Sequence, residues 1–247
     1  MKLDYFTLLA CTSEAPYRFN DAISVYPPTL NDIRHIGYNV YQSYTNILAA
    51  TKFDLAEMLG IDANEINGDT LQFITQLPFF REAYIAALSF FIRQQVRYDD
   101  SGYSLENGAF LPMDDIRELR SVILQFAYIE DKESAAPLKY RNAKARKIYE
   151  RIQTLKAEQA KAIKGKANPD MELSNLIGAV CAFSNGAYNL QNVWKLTIFQ
   201  FYDQFIRLNT KIQMDISGVR WAAWGKDDFQ FNLWHKAVKA QKGENNT

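Results

Sequence analysis

The sequence predicts a mainly α protein: a multi-helix bundle with a small β-hairpin or meander element at about 96–111 and a long basic helix at about 138–165. Three observations predict it. Apolar residues recur at spacings of three and four through most of the chain, the period of a helix that buries one face. That period lapses at RYDDSGYSLENGAFLP, where Asp-Ser-Gly and Glu-Asn-Gly punctuate short alternating runs. Asn-Gly between strand formers is the strongest short-range hairpin signal. Finally, residues 138–165 are dominated by Ala, Lys, Arg, Glu and Gln, all strong helix formers.

The elements follow in order. MKLDYFTLLACTSEAP carries one lysine and a short apolar run interrupted by an aspartate, so it reads as a strand or short helix rather than a signal peptide. Residues 16–28 alternate weakly and end in a double proline, a short hairpin or extended arm. Thr29 then caps a helix running to about Ala50, with Asp32 in its first turn. Leu30, Ile33, Gly37, Val40, Tyr41, Tyr44, Ile47 and Leu48 form its expected buried stripe. A shorter helix at about 53–59 stops at Gly60, and Asn67-Gly68-Asp69 makes a turn. Residues 70–76 begin a helix that Pro78 breaks or kinks. The segment 79–96 is apolar nearly all round, with Phe80, Tyr84, Leu88 and Phe91 on one side, which places it centrally in a core.

After the β element, Asp114 and Asp115 open a helix at 113–127 with Ile116, Leu119, Ile123 and Phe126 inside. Acidic residues in a first turn favour this through the helix dipole. EDKESAAP, 130–137, reads as a linker, and the basic helix follows it. Another helix is expected at about 170–184, with Leu173, Leu176, Ile177, Val180 and Phe183 inside, before a Ser184-Asn185-Gly186 turn. Then comes a seam. Trp194, Ile198, Phe201, Phe205, Leu208 and Ile212 are spaced 4,3,4,3,4, the pattern of a helix that buries one face on another. Asn189 can cap its start and Gly225 its end, around Trp224. A short helix at 227–238 and a disordered tail complete the reading. The predicted organisation is an N-terminal helical region at 1–130, linker and basic helix at 131–169, a C-terminal helical region at 170–240 and a tail at 241–247, with one composite domain as the alternative.

Composition limits function. The 247 residues are 48% hydrophobic, with 16 Phe, 14 Tyr and 4 Trp, and the formal charge is zero. No global field draws the chain to nucleic acid or membrane, and no apolar stretch reaches the roughly 18 residues of a membrane span. The charge is segregated nonetheless. Residues 1–138 carry 10 basic and 19 acidic side chains, and residues 139–166 carry 10 basic and 2 acidic. Cys11 and Cys181 form no metal-spaced pair, which fits a reduced cytosolic chain.

Chemistry-bearing motifs are scarce. His35 and His235 have no ligand-spaced companions, and Cys181 in GAVCAFSNG lacks an activating neighbourhood. The pairs Asp99-Asp100, Asp114-Asp115 and Asp227-Asp228 are adjacent, so their side chains diverge. No Walker, GxGxxG or GxSxG motif occurs. We therefore expect no catalytic residues, no metal and no cofactor. Lys139, Arg141, Lys144, Arg146, Lys147 and Arg151 form a candidate basic surface. It could track phosphates, although only Tyr140 and Tyr149 could stack on bases, and a solvated helix or an acidic-partner surface is the plainer reading. Trp194, Ile198, Phe201, Phe205 and Leu208 are candidate partner-binding residues, with intramolecular core as the competing role.

Two patterns carry a family resemblance. TLNDIRHIGYNVYQSYTNILAATK, with Pro28, Thr29, Leu30, Ile33, Ile36, Gly37, Tyr38, Tyr41, Tyr44 and Leu48, resembles the start of tail assembly proteins of tailed phages and prophages of Gram-positive bacteria. YNLQNVWKLTIFQFYDQFIRLN is similar to a second pattern of that family through Tyr188, Asn189, Trp194, Leu196, Thr197, Gln200, Tyr202, Asp203, Phe205 and Arg207. DDFQFNLWHKAV resembles its terminal Trp-containing element. The basic helix has no counterpart in the resembled pattern. The resemblance implies a non-enzymatic tail assembly chaperone in the cytoplasm of the bacterial host. Its implied partners are the tape-measure protein and the tail-tube protein. A virion structural role, a nucleic-acid-binding accessory role through 139–166 and self-association are the alternatives.

Overall fold

The computed structural model describes residues 1–12, 15–66, 68–99, 101–131 and 172–225. The basic helix with its six candidate cations, most of the 130–137 linker, the 227–238 helix and the tail lie outside the described residues. The protein is mainly α with small antiparallel sheets, as the sequence predicts.

Helix α1, Tyr5–Ala10, is capped by Asp4, whose carboxylate accepts from Thr7 N, and it buries no residue of its own. Strands β1 (Tyr17–Arg18) and β2 (Ser24–Val25) form the expected hairpin, with Tyr17 opposite Val25. The predicted 29–50 helix is two helices, α2 (Leu30–Ile36) and α3 (Tyr38–Ala49). Gly37, at φ 88° and ψ 139°, ends one and begins the other. Only glycine enters that region cheaply. The break lets α2 dock beside residues 193–195 while α3 turns to pack on the central apolar helix. It also changes the buried face: Tyr41, Ile47 and Leu48 are inside, but Val40 is 41% exposed and Gly37 lines no core.

Helix α4, Lys52–Leu59, starts with a Thr51–Asp54 capping box and stops at Gly60 in the left-handed conformation. Helices α5 (Thr70–Gln76) and α6 (Pro78–Ile92) meet at Leu77, with Pro78 opening α6, where a missing N–H costs nothing. Phe80, Tyr84, Leu88 and Phe91 are all buried, so α6 is the central helix. It is shorter than predicted. Arg93 ends it in the left-handed conformation because Val96 begins a strand.

The β element is a three-stranded antiparallel meander, β3 (Val96–Asp99), β4 (Gly102–Leu105) and β5 (Phe110–Pro112). Gly108 in the Asn-Gly turn has φ 84°. At Gly102 a side chain would collide with the Leu111 carbonyl of the neighbouring strand. Helix α7, Met113–Phe126, buries Ile116, Leu119, Ile123 and Phe126 completely. Arg120 is buried on the same helix, with Nε donating to the Leu48 carbonyl and an ion pair to Asp131 at 3.5 Å.

Helix α8, Leu173–Phe183, buries Leu173, Leu176, Ile177 and Val180. Phe183, expected inside, is 58% exposed. Ser184 takes the inward place at the end of the helix, where its hydroxyl accepts from Tyr188 N at 3.0 Å and donates to the Tyr188 carbonyl at 3.1 Å. The expected helix from Asn189 is also corrected. Asn189 Oδ1 does accept from Gln191 N and Asn192 N, but it caps only a turn that leads into a 3-10 segment, Val193–Lys195. The long helix α9 runs from Ile198 to Trp224 behind a Thr197–Gln200 capping box. The C-terminal elements share a continuous core with the N-terminal ones, from Leu30, Tyr41 and Tyr84 through Ile116 to Leu176, Ile198 and Phe201.

Candidate functional site

The two sequence patterns from opposite ends of the chain meet. Thr29 and Thr197 form an antiparallel bridge. Leu30 N donates to the Leu196 carbonyl and Ile198 N donates to the Pro28 carbonyl, each at 2.9 Å. Both threonines are also helix caps. Thr29 Oγ1 accepts from Asp32 N while Asp32 Oδ2 accepts from Thr29 N at 2.8 Å. Thr197 Oγ1 accepts from Gln200 N while Gln200 Oε1 accepts from Thr197 N at 3.0 Å. Each box satisfies two amides that a helix start otherwise leaves unpaired. The extended backbone required at a cap is the backbone that can bridge. Two helix starts are thereby tied together, and this is why α9 begins at Ile198.

The polar residues of α9's first turns fasten α1 onto it. Gln200 Nε2 donates to the Leu9 carbonyl at 3.1 Å. Asp203 is 1% exposed. Its Oδ1 accepts from the Tyr5 hydroxyl and its Oδ2 from Arg207 Nε, both at 2.8 Å. Arg207 Nη2 donates in turn to the Tyr5 hydroxyl at 2.8 Å, closing a triangle. Burial first, then the bond to Asp203, raises the Tyr5 pKa. The Asp203 bond first raises that of Arg207. Tyr128 lies beside the triangle, next to Asp203, Tyr5 and Arg207. Tyr128 stacks on Tyr202 at 5.4 Å, and burial followed by the adjacent Tyr38 pushes Tyr202 up to about 12.

The candidate partner-binding residues divide. Ile198 and Phe201 are core, 1% and 0% exposed, and no partner can reach them in the folded chain. Phe205 and Leu208 are half-buried against that core. Trp194 is not on α9 at all. It sits in the 3-10 segment, its indole N–H donates to the Leu190 carbonyl at 2.8 Å, and the Arg34 guanidinium lies 5.0 Å over its ring. Beyond Leu208 no residue of α9 is buried through Trp224. Those sixteen residues project about 24 Å at 1.5 Å per residue. They carry Ile216 at 50%, Val219 at 70% and Trp224 at 78% exposure.

Among the described residues, no group of three His, Cys, Asp or Glu could hold a metal. His35 is exposed, with Nδ1 at 2.7 Å from the Asn31 carbonyl. Burial raises both cysteine thiols above their ordinary pKa, the opposite of what a nucleophile needs. No described helix is long and apolar enough to cross a membrane.

Sequence reasoning missed Tyr5, Arg34 and Arg120. Nothing in local spacing links Tyr5 to Asp203 or Arg120 to Leu48. The Thr197-x-x-Gln200 signature was legible, but the heptad register of Trp194 pointed the helix start upstream.

No curated protein and no solved structure matches the chain. Residues 164–239 match the family described as the YomV second domain, so the match spans α8, the 3-10 segment and all of α9. The match, to a domain of a Bacillus phage-type protein, is consistent with a phage protein and reaches no further than that.

Proposed function

We propose that this chain is a non-enzymatic phage tail assembly chaperone, which holds a helical tape-measure segment and helps recruit tail-tube subunits. The observation that carries the reading is the division of α9. Its first turns are clamped into the core, and its remaining turns project with Ile216, Val219 and Trp224 exposed. A clamped amphipathic helix can pair with an apolar face of a client helix without reorganising the rest of the chain. The phage-type domain match over the same helix, and the resemblance of the two patterns that meet at its start, support this reading.

The test is co-purification of the full chain with a fragment of a phage tape-measure protein. Ile216→Asp with Val219→Asp is expected to abolish capture and leave the thermal transition within a few degrees of wild type, because neither side chain is buried. Phe201→Asp is expected to unfold the chain, because Phe201 is fully buried. Undiminished capture by the Ile216/Val219 double variant removes the projecting helix as the client surface. No capture by the wild type removes the chaperone reading itself.

A further inference from the structure

A second surface stands apart from the projecting helix. A groove of about 740 Å³ opens between α2 and residues 190–195. Thr29, Asn31, Arg34, Gln191, Trp194 and Lys195 line it, and no carboxylate does among the described residues. Arg34 is held in place from two sides. Its guanidinium lies 5.0 Å over the Trp194 ring, and Nη2 donates to Asn31 Oδ1 at 2.9 Å. The remaining guanidinium donors and the exposed Lys195 ammonium have no acceptor among the described residues. This contrasts with other arginines of the chain. Arg93 pairs with Asp32 at 3.2 Å, and Arg207 with Asp203 at 2.8 Å.

We propose that this groove is a docking site for an acidic peptide segment of a partner protein, with a carboxylate on Arg34 and a second on Lys195. A guanidinium already fixed by stacking loses less freedom when it takes a carboxylate in two-point fashion. The neutral side-chain amides of Asn31 and Gln191 suit a peptide main chain. Charge complementarity selects the partner's sign, and the geometry selects peptide over nucleic acid. The groove has two cations rather than a row that could follow a phosphate backbone. Its one aromatic ring is covered by Arg34 and its indole N–H is engaged with Leu190, so no platform remains for a base. Nothing in this proposal depends on the chaperone reading.

The experiment is fluorescence anisotropy with the full chain and three labelled probes: a peptide of alternating Asp and Glu, its Asn/Gln counterpart, and an oligothymidylate. The basic segment 139–166 will also attract acidic probes, so two sets of variants are compared. Arg34→Gln with Lys195→Gln is expected to weaken the acidic peptide at least about tenfold, as loss of charge-assisted bonds implies. Arg34→Lys is expected to weaken it by an intermediate factor, because it keeps the charge without the fork. Arg146→Gln with Lys147→Gln is expected to leave the groove-dependent affinity in place. Far-UV circular dichroism checks that each variant is folded, which exposure of Arg34 and Lys195 favours. The proposal is overturned if the Arg34/Lys195 variant binds the acidic peptide as tightly as wild type. Equal affinity for the Asn/Gln peptide overturns it as well. So does oligothymidylate binding more tightly than the acidic peptide with the same dependence on Arg34.

Discussion

Replacing Asp203 with alanine should be among the most destabilising polar substitutions in this chain. The carboxylate is almost fully buried and accepts from Tyr5 and Arg207 at 2.8 Å each. Removing one partner of a buried ion pair costs roughly 3–5 kcal/mol, because the other charge is left behind. Here the Arg207 side chain keeps 22% of its exposure, so water recovers part of that loss, and about 2–4 kcal/mol is expected. Asp203→Asn retains an acceptor for one donor and should cost about 1–2 kcal/mol. Tyr5→Phe removes one hydroxyl from the triangle and should cost about 1 kcal/mol. Because the three groups share bonds, Tyr5→Phe with Asp203→Ala should fall short of additivity by about 0.5–1.5 kcal/mol. Urea unfolding followed by far-UV circular dichroism measures all four, with an unchanged m-value as the check on two-state behaviour. An Asp203→Ala variant within about 0.5 kcal/mol of wild type, or strict additivity of the pair, would refute the claim that this triangle fastens α1 to α9.

Two further predictions concern backbone and pH. Gly37→Ala should cost about 1–3 kcal/mol, since φ is 88° and no atom lies within 4 Å of the added Cβ, so the cost is conformational alone. Gly178→Ala, inside α8 with equally open space, should instead stabilise by about 0.5–1 kcal/mol. Equal responses in urea unfolding would contradict the reading of Gly37 as a position whose backbone only glycine adopts cheaply. Stability should fall at alkaline pH. Burial raises Tyr202 to about 12 and raises Tyr5, Tyr41, Tyr103 and Tyr128 as well. Unfolded tyrosines ionise near pH 10, so this contribution is fully present below about pH 10 and is lost as pH rises through about 12. Tyrosinate absorbance at 295 nm should therefore rise in two stages, the later one accompanying loss of helical signal. A single ionisation near pH 10 with the helices intact would contradict it.

The sequence by itself determined most local structure, because local structure depends on signals within a few residues. Pro78 at the start of α6, Gly60 after α4, the acidic first turn of α7 and the Asn-Gly turn of the meander all act where they were expected. The buried faces of α6 and α7 followed from period alone. Three features needed the tertiary structure. The start of α9 moved from Asn189 to Ile198 because Thr197 is held extended by its bridge to Thr29, a contact across more than half the chain. The heptad seam proved to be core at Ile198 and Phe201 and no longer buried beyond Leu208, because only packing partners decide where a periodic face stops being covered. Thr197, Gln200, Asp203 and Arg207 had no role in the period. They form a cap and a clamp whose other halves, Leu9 and Tyr5, lie near the opposite end of the chain. Periodicity records which side of a helix is apolar. It carries no information about which distant hydroxyl a buried carboxylate will accept from, and that pairing is what fixes α1 against α9.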